Sequence, residues 1–145
     1  MIENDTVRLL RECDAGIKMG VQSISDVAKF AKSRELKRSL AKYKSEHQKL
    51  ADEIESLLHS YGDKGKAPNP IATGMSRMKT VMKLNLEKSD STIAELMTDG
   101  CNMGIKSLSG YLNKYQAADE ESKDITKRLI GIEDQLATDM RAYLQ

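Results

Sequence analysis

Apolar residues recur at alternating spacings of three and four along the first half of the chain, which is the period of one helix face. The pattern predicts a helix over about Asp5–Ala31, which Asn4 or Asp5 can cap, and a second helix from just after Ser33 to about Tyr61. Gly62 is suited to end the second helix. The predicted inward positions are Val7, Leu10, Asp14, Ile17, Val21, Ile24, Ala28 and Ala31, then Leu36, Leu40, Tyr43, His47, Leu50, Ile54, Leu57 and Tyr61.

The second half of the chain repeats this pattern. It predicts a helix over about Ser91–Tyr115, capped by Ser89 or Asp90, and a final helix that begins near Asp119. The predicted inward positions are Ile93, Met97, Cys101, Ile105, Leu108, Leu112 and Tyr115, then Ile125, Leu129, Ile132, Leu136, Met140 and Tyr143.

A loop over residues 62–70 separates the two halves. Asn69 and Pro70 suit the start of a short helix, and one side of that helix carries Ile71, Met75, Met78 and Met82. We interpret this segment as part of a long crossover over residues 62–90. Its methionines are suited to filling the core or, alternatively, to holding an apolar ligand.

A duplicated phrase relates the two halves. Residues 13–18 read Cys-Asp-Ala-Gly-Ile-Lys and residues 101–106 read Cys-Asn-Met-Gly-Ile-Lys, at an offset of 88 residues. Together with the helix pattern, the repeat predicts an all-α, antiparallel four-helix bundle made of two pseudo-twofold hairpins, 5–61 and 91–144. We expect residues 1–145 to form one domain of this kind.

Composition narrows the class of function. The chain has 145 residues, 31% charged and 4% aromatic, and its net charge is +1. Near-neutral charge argues against a nucleic-acid partner, and no apolar run approaches the roughly 18–20 residues that a membrane span needs. The N-terminus lacks a signal-peptide pattern, so we expect a cytoplasmic protein whose two cysteines are thiols.

Glycines and polar residues interrupt the predicted helices. Gly16 and Gly20 lie four apart in the first helix, as do Gly100 and Gly104 in the third. Each costs about 1 kcal/mol relative to Ala in a helix interior. They indicate either close helix contact or room for a bound ion or a helix bulge.

Six polar residues are predicted to share one level of the bundle: Cys13, Asp14, His47, Cys101, Asn102 and Glu133. Asp14 and His47 lie about 18 and 15 residues from the first turn, and Asn102 and Glu133 lie about 15 and 16 from the last. At about 1.5 Å per residue these heights agree within a turn. Two interpretations stay open, a hydrogen-bonded structural layer or a metal or thiol-redox site. The candidate ligands are Cys13, Asp14, His47, Cys101 and Glu133, supported by Tyr43, Lys44 and Asn102.

The arrangement of two hairpins, a long crossover and a mid-bundle polar layer resembles the ferritin-like superfamily. The nearest resemblance is to a bacterial ferritin-like family of unknown function grouped near the rubrerythrins, in stretches such as residues 9–13 and 45–50. The resemblance implies Glu-x-x-His motifs for two irons. Here Lys44 stands three residues before His47, and Leu136 stands three residues after Glu133, so the resemblance implies a bundle whose iron chemistry is lost or altered.

No complete catalytic motif occurs in the sequence. We therefore expect a non-enzymatic protein without a cofactor, acting through a protein partner or self-association and associated with stress or development. The alternative is a protein that uses the mid-bundle residues to bind iron or zinc or for thiol redox chemistry. An apolar-ligand carrier is a third hypothesis.

Overall fold

The amphipathic stretches form four α-helices in the computed structural model, which describes residues 2–68, 80, 83–84 and 89–145. These helices are α1 (Ile2–Ala28), α2 (Arg34–Ser60), α3 (Asp90–Lys114) and α4 (Glu120–Met140), and a 3₁₀ turn at Arg141–Tyr143 follows α4. The described residues contain no strand. The prediction of an all-helical chain is therefore confirmed for this part of the sequence.

Polar side chains begin three of the helices as expected. The hydroxyl of Ser33 accepts a hydrogen bond from the backbone N–H three residues later, and so do the side chains of Ser89 and Asp119, over 3.1, 3.1 and 2.8 Å. Each bond satisfies an N–H that has no partner within its helix. Gly62 follows the end of α2 with φ +73°, the left-handed conformation that stops a helix.

The bounds of α1 differ from the prediction. The helix begins at Ile2 and ends at Ala28, about three residues earlier than expected at both ends. Asn4 and Asp5 therefore both lie inside α1, so the prediction that one of them caps this helix is wrong. The outcome is clearest for Asp5. Its carboxylate accepts a hydrogen bond of 3.0 Å from Ala117 N, in the connection between α3 and α4.

Contacts between the helices make a bundle. Helix α1 packs along α2 and α3 packs along α4, with further contacts of α1 with α3 and α4 and of α2 with α4. The α1–α2 connection is tied to the start of α3, because Asp90 accepts hydrogen bonds from Lys32 N and Ser33 N over 2.8 and 2.9 Å. The start of α1 is tied to the α3–α4 connection in the same way, since Thr6 Oγ1 accepts from Asp119 N over 2.9 Å.

The interior is divided into two main apolar clusters. One is built around Ile24, Leu36, Tyr43 and Met140, and the other around Leu10, Ile54, Leu108 and Leu129. Leu84, from the connection between α2 and α3, is fully buried in the first cluster. Cys101 belongs to the first cluster and Cys13 to the second, so the duplicated cysteines lie in different parts of the core.

Most predicted inward residues are buried or half-buried, with three corrections. Leu58, rather than Leu57, is the buried leucine at the end of α2. Tyr61 is 37% exposed at the C-cap of α2, and Asn102 is exposed in the middle of α3, next to the buried Cys101. The predicted short helix with Ile71, Met75, Met78 and Met82, and its start at Asn69 and Pro70, lie outside the described residues.

Candidate functional site

A histidine and a glutamate meet between the two apolar clusters. His47 on α2 is 1% exposed, and its Nε2 lies 2.5 Å from Oε1 of Glu133 on α4. Its Nδ1 lies 2.7 Å from the Tyr43 carbonyl oxygen, which can only accept, so Nδ1–H donates. We assign the second ring proton to Nε2, which makes the contact an imidazolium–carboxylate pair.

The surroundings of His47 act on its pKa in opposite directions. Burial lowers the pKa of His47, because it disfavours the charged ring, but the hydrogen bond and charge of Glu133 raise it. The carbonyl of Tyr43 and the charge of Glu46 also raise it, and the net result is a pKa above the ordinary value. The imidazolium is thus the form that this site favours.

The thiol of Cys101 joins the same carboxylate. Cys101 on α3 is 1% exposed and is hydrogen-bonded to Glu133. Burial raises the pKa of Cys101, and the charge and hydrogen bond of Glu133 raise it further. The group is therefore a protonated thiol that donates to the carboxylate, and it lacks the thiolate character of a reactive cysteine. We call His47, Cys101 and Glu133 the polar cluster.

Gly20 makes room for the polar cluster, and Gly104 lies beside it. A Cβ at Gly20 on α1 would lie 3.1 Å from Cδ2 of His47, and a Cβ at Gly104 on α3 would lie 3.7 Å from Oε2 of Glu133. Glycine at position 20 thus allows α1 to approach the imidazole. The sequence-based expectation of close contact is confirmed at this position.

Cys13 lies apart from the polar cluster. Its Sγ is 3.2 Å from Thr126 Oγ1, and that hydroxyl donates its own proton to the Ser122 carbonyl oxygen over 2.8 Å. The thiol is therefore the donor to Thr126. Burial raises the pKa of Cys13 to about 11, and the charges of Glu12 and Asp14 act in the same direction. Cys13 is a protonated core residue.

Asp14, one of the predicted ligands, instead binds the segment that follows α2. Its side chain is 5% exposed and accepts hydrogen bonds from Lys18 Nζ over 2.7 Å and from Lys66 N over 2.9 Å. Lys66 Nζ in turn lies 2.5 Å from Oε1 of Glu12. Asp14 and Glu12 therefore fasten residues 65–66, which follow α2, to the surface of α1.

The structure thus brings together three of the five predicted ligands. His47, Cys101 and Glu133 meet, whereas Cys13 and Asp14 bond elsewhere. Tyr43 supports His47 through its carbonyl, and its hydroxyl donates to Asp139 on α4. Lys44 is half-buried, and the exposed Asn102 takes no part in the cluster.

The polar cluster does not fit a metal centre as it stands. Among the residues that the structure describes, no three His, Cys, Asp or Glu side chains are placed to hold one ion. The imidazole and the thiol instead each donate a hydrogen bond to the Glu133 carboxylate. The two Glu-x-x-His motifs of a di-iron site are also missing, since Lys44 and Leu136 stand at the corresponding spacings.

A cavity of about 410 Å³ opens between α1 and α3 with the polar cluster in its wall. Most of its lining is apolar, from residues such as Ile24, Val27, Met97 and Leu108. Gly16 and Gly100 also line it, and no atom of the described residues lies within 4 Å of a Cβ built on either. The expectation of close helix contact is therefore not met at these two glycines within the described chain.

Sequence reasoning gave room for a bound ion at these glycines as one alternative and an apolar ligand as a third hypothesis, but it did not predict a cavity between α1 and α3. The signal that could have found it is the pairing of Gly16 with Gly20 and of Gly100 with Gly104 on the two helices that bound it. Spacing alone does not distinguish a glycine that permits contact from one that leaves space. That distinction depends on how the neighbouring helix is placed.

Comparisons with protein-family models, with curated proteins and with solved structures find no match to this chain. The resemblance to ferritin-like bundles therefore remains a prediction from the sequence. Separately, no helix among the described residues is both long and apolar enough to cross a membrane.

Proposed function

We propose that this protein is a non-enzymatic, ferritin-like four-helix bundle that binds a small, mostly apolar molecule in the cavity between α1 and α3. The observation that carries the proposal is the pair Gly16 and Gly100. Both line the cavity, and neither is needed to avoid a clash with any described residue. A volume of about 410 Å³ lies within the usual range of small-molecule sites.

The stability cost of the two glycines supports a binding function. A glycine inside a helix is less stable than Ala by about 1 kcal/mol. At Gly20 that cost is offset by the room it makes for His47, since a Cβ at this position would lie 3.1 Å from the imidazole. At Gly16 and Gly100 no such packing benefit is found among the described residues, and both glycines line the cavity between α1 and α3.

The state of the polar groups supports binding rather than catalysis. Both nitrogens of His47 are hydrogen-bonded, and Cys101 is a thiol with a raised pKa. A general base or nucleophile needs a free lone pair of suitable pKa near the substrate. The polar cluster offers a carboxylate that is already paired with an imidazolium, which suits recognition of a ligand better than proton transfer.

The ferritin-like arrangement is part of the proposal. Contacts at both ends of the bundle support it, since Asp90 at the start of α3 bonds to residues 32–33 and Asp5 at the start of α1 bonds to Ala117. These bonds favour an antiparallel course of α1 and α3, with the connection from α2 to α3 as the crossover. The missing Glu-x-x-His motifs argue for a member that has lost di-iron chemistry.

The proposed binding is tested with indene, a small uncharged hydrocarbon, titrated into ¹⁵N-labelled protein. We expect saturable shifts of backbone amides along α1 and α3 and a higher melting temperature, because a ligand that binds only the folded state stabilises it. Gly100→Leu should fill the cavity and abolish the shifts. The matched control is Gly110→Leu, on the same helix but outside the cavity, which should bind as the wild type does. Absence of saturable binding would overturn the proposal.

Self-association is a second candidate function. Met103 on α3 is 71% exposed although it lines the cavity, and it is the most exposed large apolar side chain among the described residues. We propose a second copy of the chain as the partner, with Met103 of each copy covering the cavity of the other. Sedimentation equilibrium should then show a dimer that Met103→Glu dissociates. Leu144→Glu, at a side chain 41% exposed, is the control. A monomer at all concentrations would exclude this candidate.

A further inference from the structure

Charged groups around the cavity are balanced in pairs. His47 is paired with Glu133 over 2.5 Å, and Lys66 is paired with Glu12, also over 2.5 Å. All four residues belong to the cavity lining. A ligand with a net charge would lose its hydration without finding an unpaired group of opposite sign among the described residues of the lining. The cavity therefore favours an uncharged molecule.

Glu133 is a charged group of the cavity lining with bonding capacity left over. A carboxylate has about four lone-pair sites on its two oxygens. Oε1 accepts from His47, and the thiol of Cys101 uses one further site. Oε2 lies 3.7 Å from a Cβ built at Gly104, so this oxygen is on the α3 side, where the cavity opens. The side chain is 13% exposed, which leaves it accessible from the cavity.

The partners of Glu133 preserve this capacity. His47 donates from both ring nitrogens and so cannot accept a hydrogen bond from a ligand, and the thiol sulfur of Cys101 is only a weak acceptor. Glu133 thus presents only acceptor sites to the cavity. An ionised acceptor in mostly apolar surroundings binds a neutral donor more strongly than a neutral acceptor would.

We propose that the molecule bound in this cavity is uncharged and carries one N–H or O–H donor that Glu133 accepts, on an otherwise apolar body. This inference rests on the proposed ligand-binding function and adds the chemical class of the ligand. In this proposal Glu133 selects the ligand, and the apolar side chains of α1 and α3 contact the ligand's apolar body. The class includes aromatic heterocycles with one N–H and phenols.

The experiment uses four ring compounds of related shape on the wild-type protein. Indole carries one N–H donor, indene has the same ring shape without it, and tryptamine and indole-3-acetate add a positive and a negative charge. Dissociation constants come from amide-shift titrations at neutral pH. We expect indole to bind about 5–10-fold more tightly than indene, the effect of about one hydrogen bond. Both charged compounds should bind more weakly than indole.

The outcomes separate this inference from the proposed function. Equal affinity of indole and indene would overturn the assignment of Glu133 while leaving cavity binding intact. Tighter binding of either charged compound than of indole would overturn the uncharged class. Binding of none of the four would overturn the proposed function itself.

Glu133→Gln adds a further readout, since it should reduce the preference for indole over indene to less than about twofold. The four titrations of the wild-type protein test the proposed ligand class even if Glu133→Gln fails to fold.

Discussion

The imidazole of His47 on α2 and the carboxylate of Glu133 on α4 form a buried contact of 2.5 Å across the bundle. The residues are 86 positions apart in the chain, and their pairing joins the two halves of the molecule at the boundary between its two apolar clusters. Breaking such a pair leaves one buried group without its partner, so the contact can be tested from either side.

Loss of either member of the pair should destabilise the fold. Removing one partner of a buried charge pair typically costs about 3–5 kcal/mol. We therefore expect both His47→Ala and Glu133→Ala to lower the free energy of unfolding in urea, and the double variant to cost less than the sum of the two. Additive effects in this double-mutant cycle would show that the two side chains are not coupled.

Stability should also depend on pH through His47. The pKa of His47 is raised in the folded protein, so the native state binds a proton that the unfolded state releases above about pH 6.5. The contribution of the His47 proton to stability is complete below that pH, and it is lost as the pH rises through the pKa of His47 in the folded protein. Urea unfolding should therefore show a decrease in stability above about pH 6.5. In His47→Gln this decrease should disappear, and an unchanged pH profile would contradict the assigned protonation.

Alanine at two neighbouring glycines of α1 should have opposite effects. Gly16→Ala adds a methyl group where no described atom lies within 4 Å, so helix propensity alone should raise the free energy of unfolding, by up to about 1 kcal/mol. Gly20→Ala places its methyl group 3.1 Å from the His47 ring and should be destabilising or neutral instead. Thermal and urea unfolding of the two variants measure the difference. Equal stabilisation by both would mean that α1 does not approach His47 as described.

The connection after α2 offers a second matched pair of glycines. Gly62 and Gly65 both have positive φ, +73° and +84°. Alanine in this left-handed conformation is less stable than glycine by about 1–2 kcal/mol. A Cβ at Gly65 would also overlap Oδ2 of Asp14, whereas one at Gly62 meets no described atom within 4 Å. Gly65→Ala should therefore be the more destabilising in urea unfolding. Asp14→Ala should remove part of that excess, and equal costs at the two glycines would contradict the contact.

Both thiols should react slowly in the native protein. Burial raises the pKa of Cys101, and it raises the pKa of Cys13 to about 11. Alkylation proceeds through the thiolate, so at about pH 8 iodoacetamide should modify each cysteine at least about tenfold more slowly in the folded than in the unfolded protein. Mass spectrometry of the alkylated peptides measures this rate. Rapid native modification of Cys101 would favour the thiol-redox alternative.

Asp90 should support acid stability at the junction of α1, α2 and α3. Burial alone would raise its pKa, but the N–H groups of Lys32 and Ser33 lower the pKa of Asp90 below its ordinary value. Its contribution is present above the ordinary pKa of about 4 and is lost as the pH falls through the folded value. Asp90→Ala should therefore cost stability at about pH 7 and less at about pH 3. Asp99→Ala, at an exposed position of α3, is the control and should change little.

The positions of the four helices could be predicted from the sequence because their causes are local. The three-four spacing of apolar residues, the side chains of Ser33, Ser89 and Asp119, and the conformational freedom of Gly62 act within one or two turns of the chain. The start of α1 was the exception. Asp5 was expected to cap its own helix, but the bond it makes is to Ala117, a residue that local pattern cannot identify.

The composition of the polar cluster was decided by the tertiary structure. Sequence heights placed six polar residues at one level, but height says nothing about rotation around each helix axis. One residue turns a side chain by about 100°, so Cys101 is buried while the next residue, Asn102, is exposed. Which groups meet across the bundle depends on how all four helices pack. That packing brought Glu133 to His47 and Cys101, directed Cys13 to Thr126 and Asp14 to Lys66, and left space at Gly16 and Gly100.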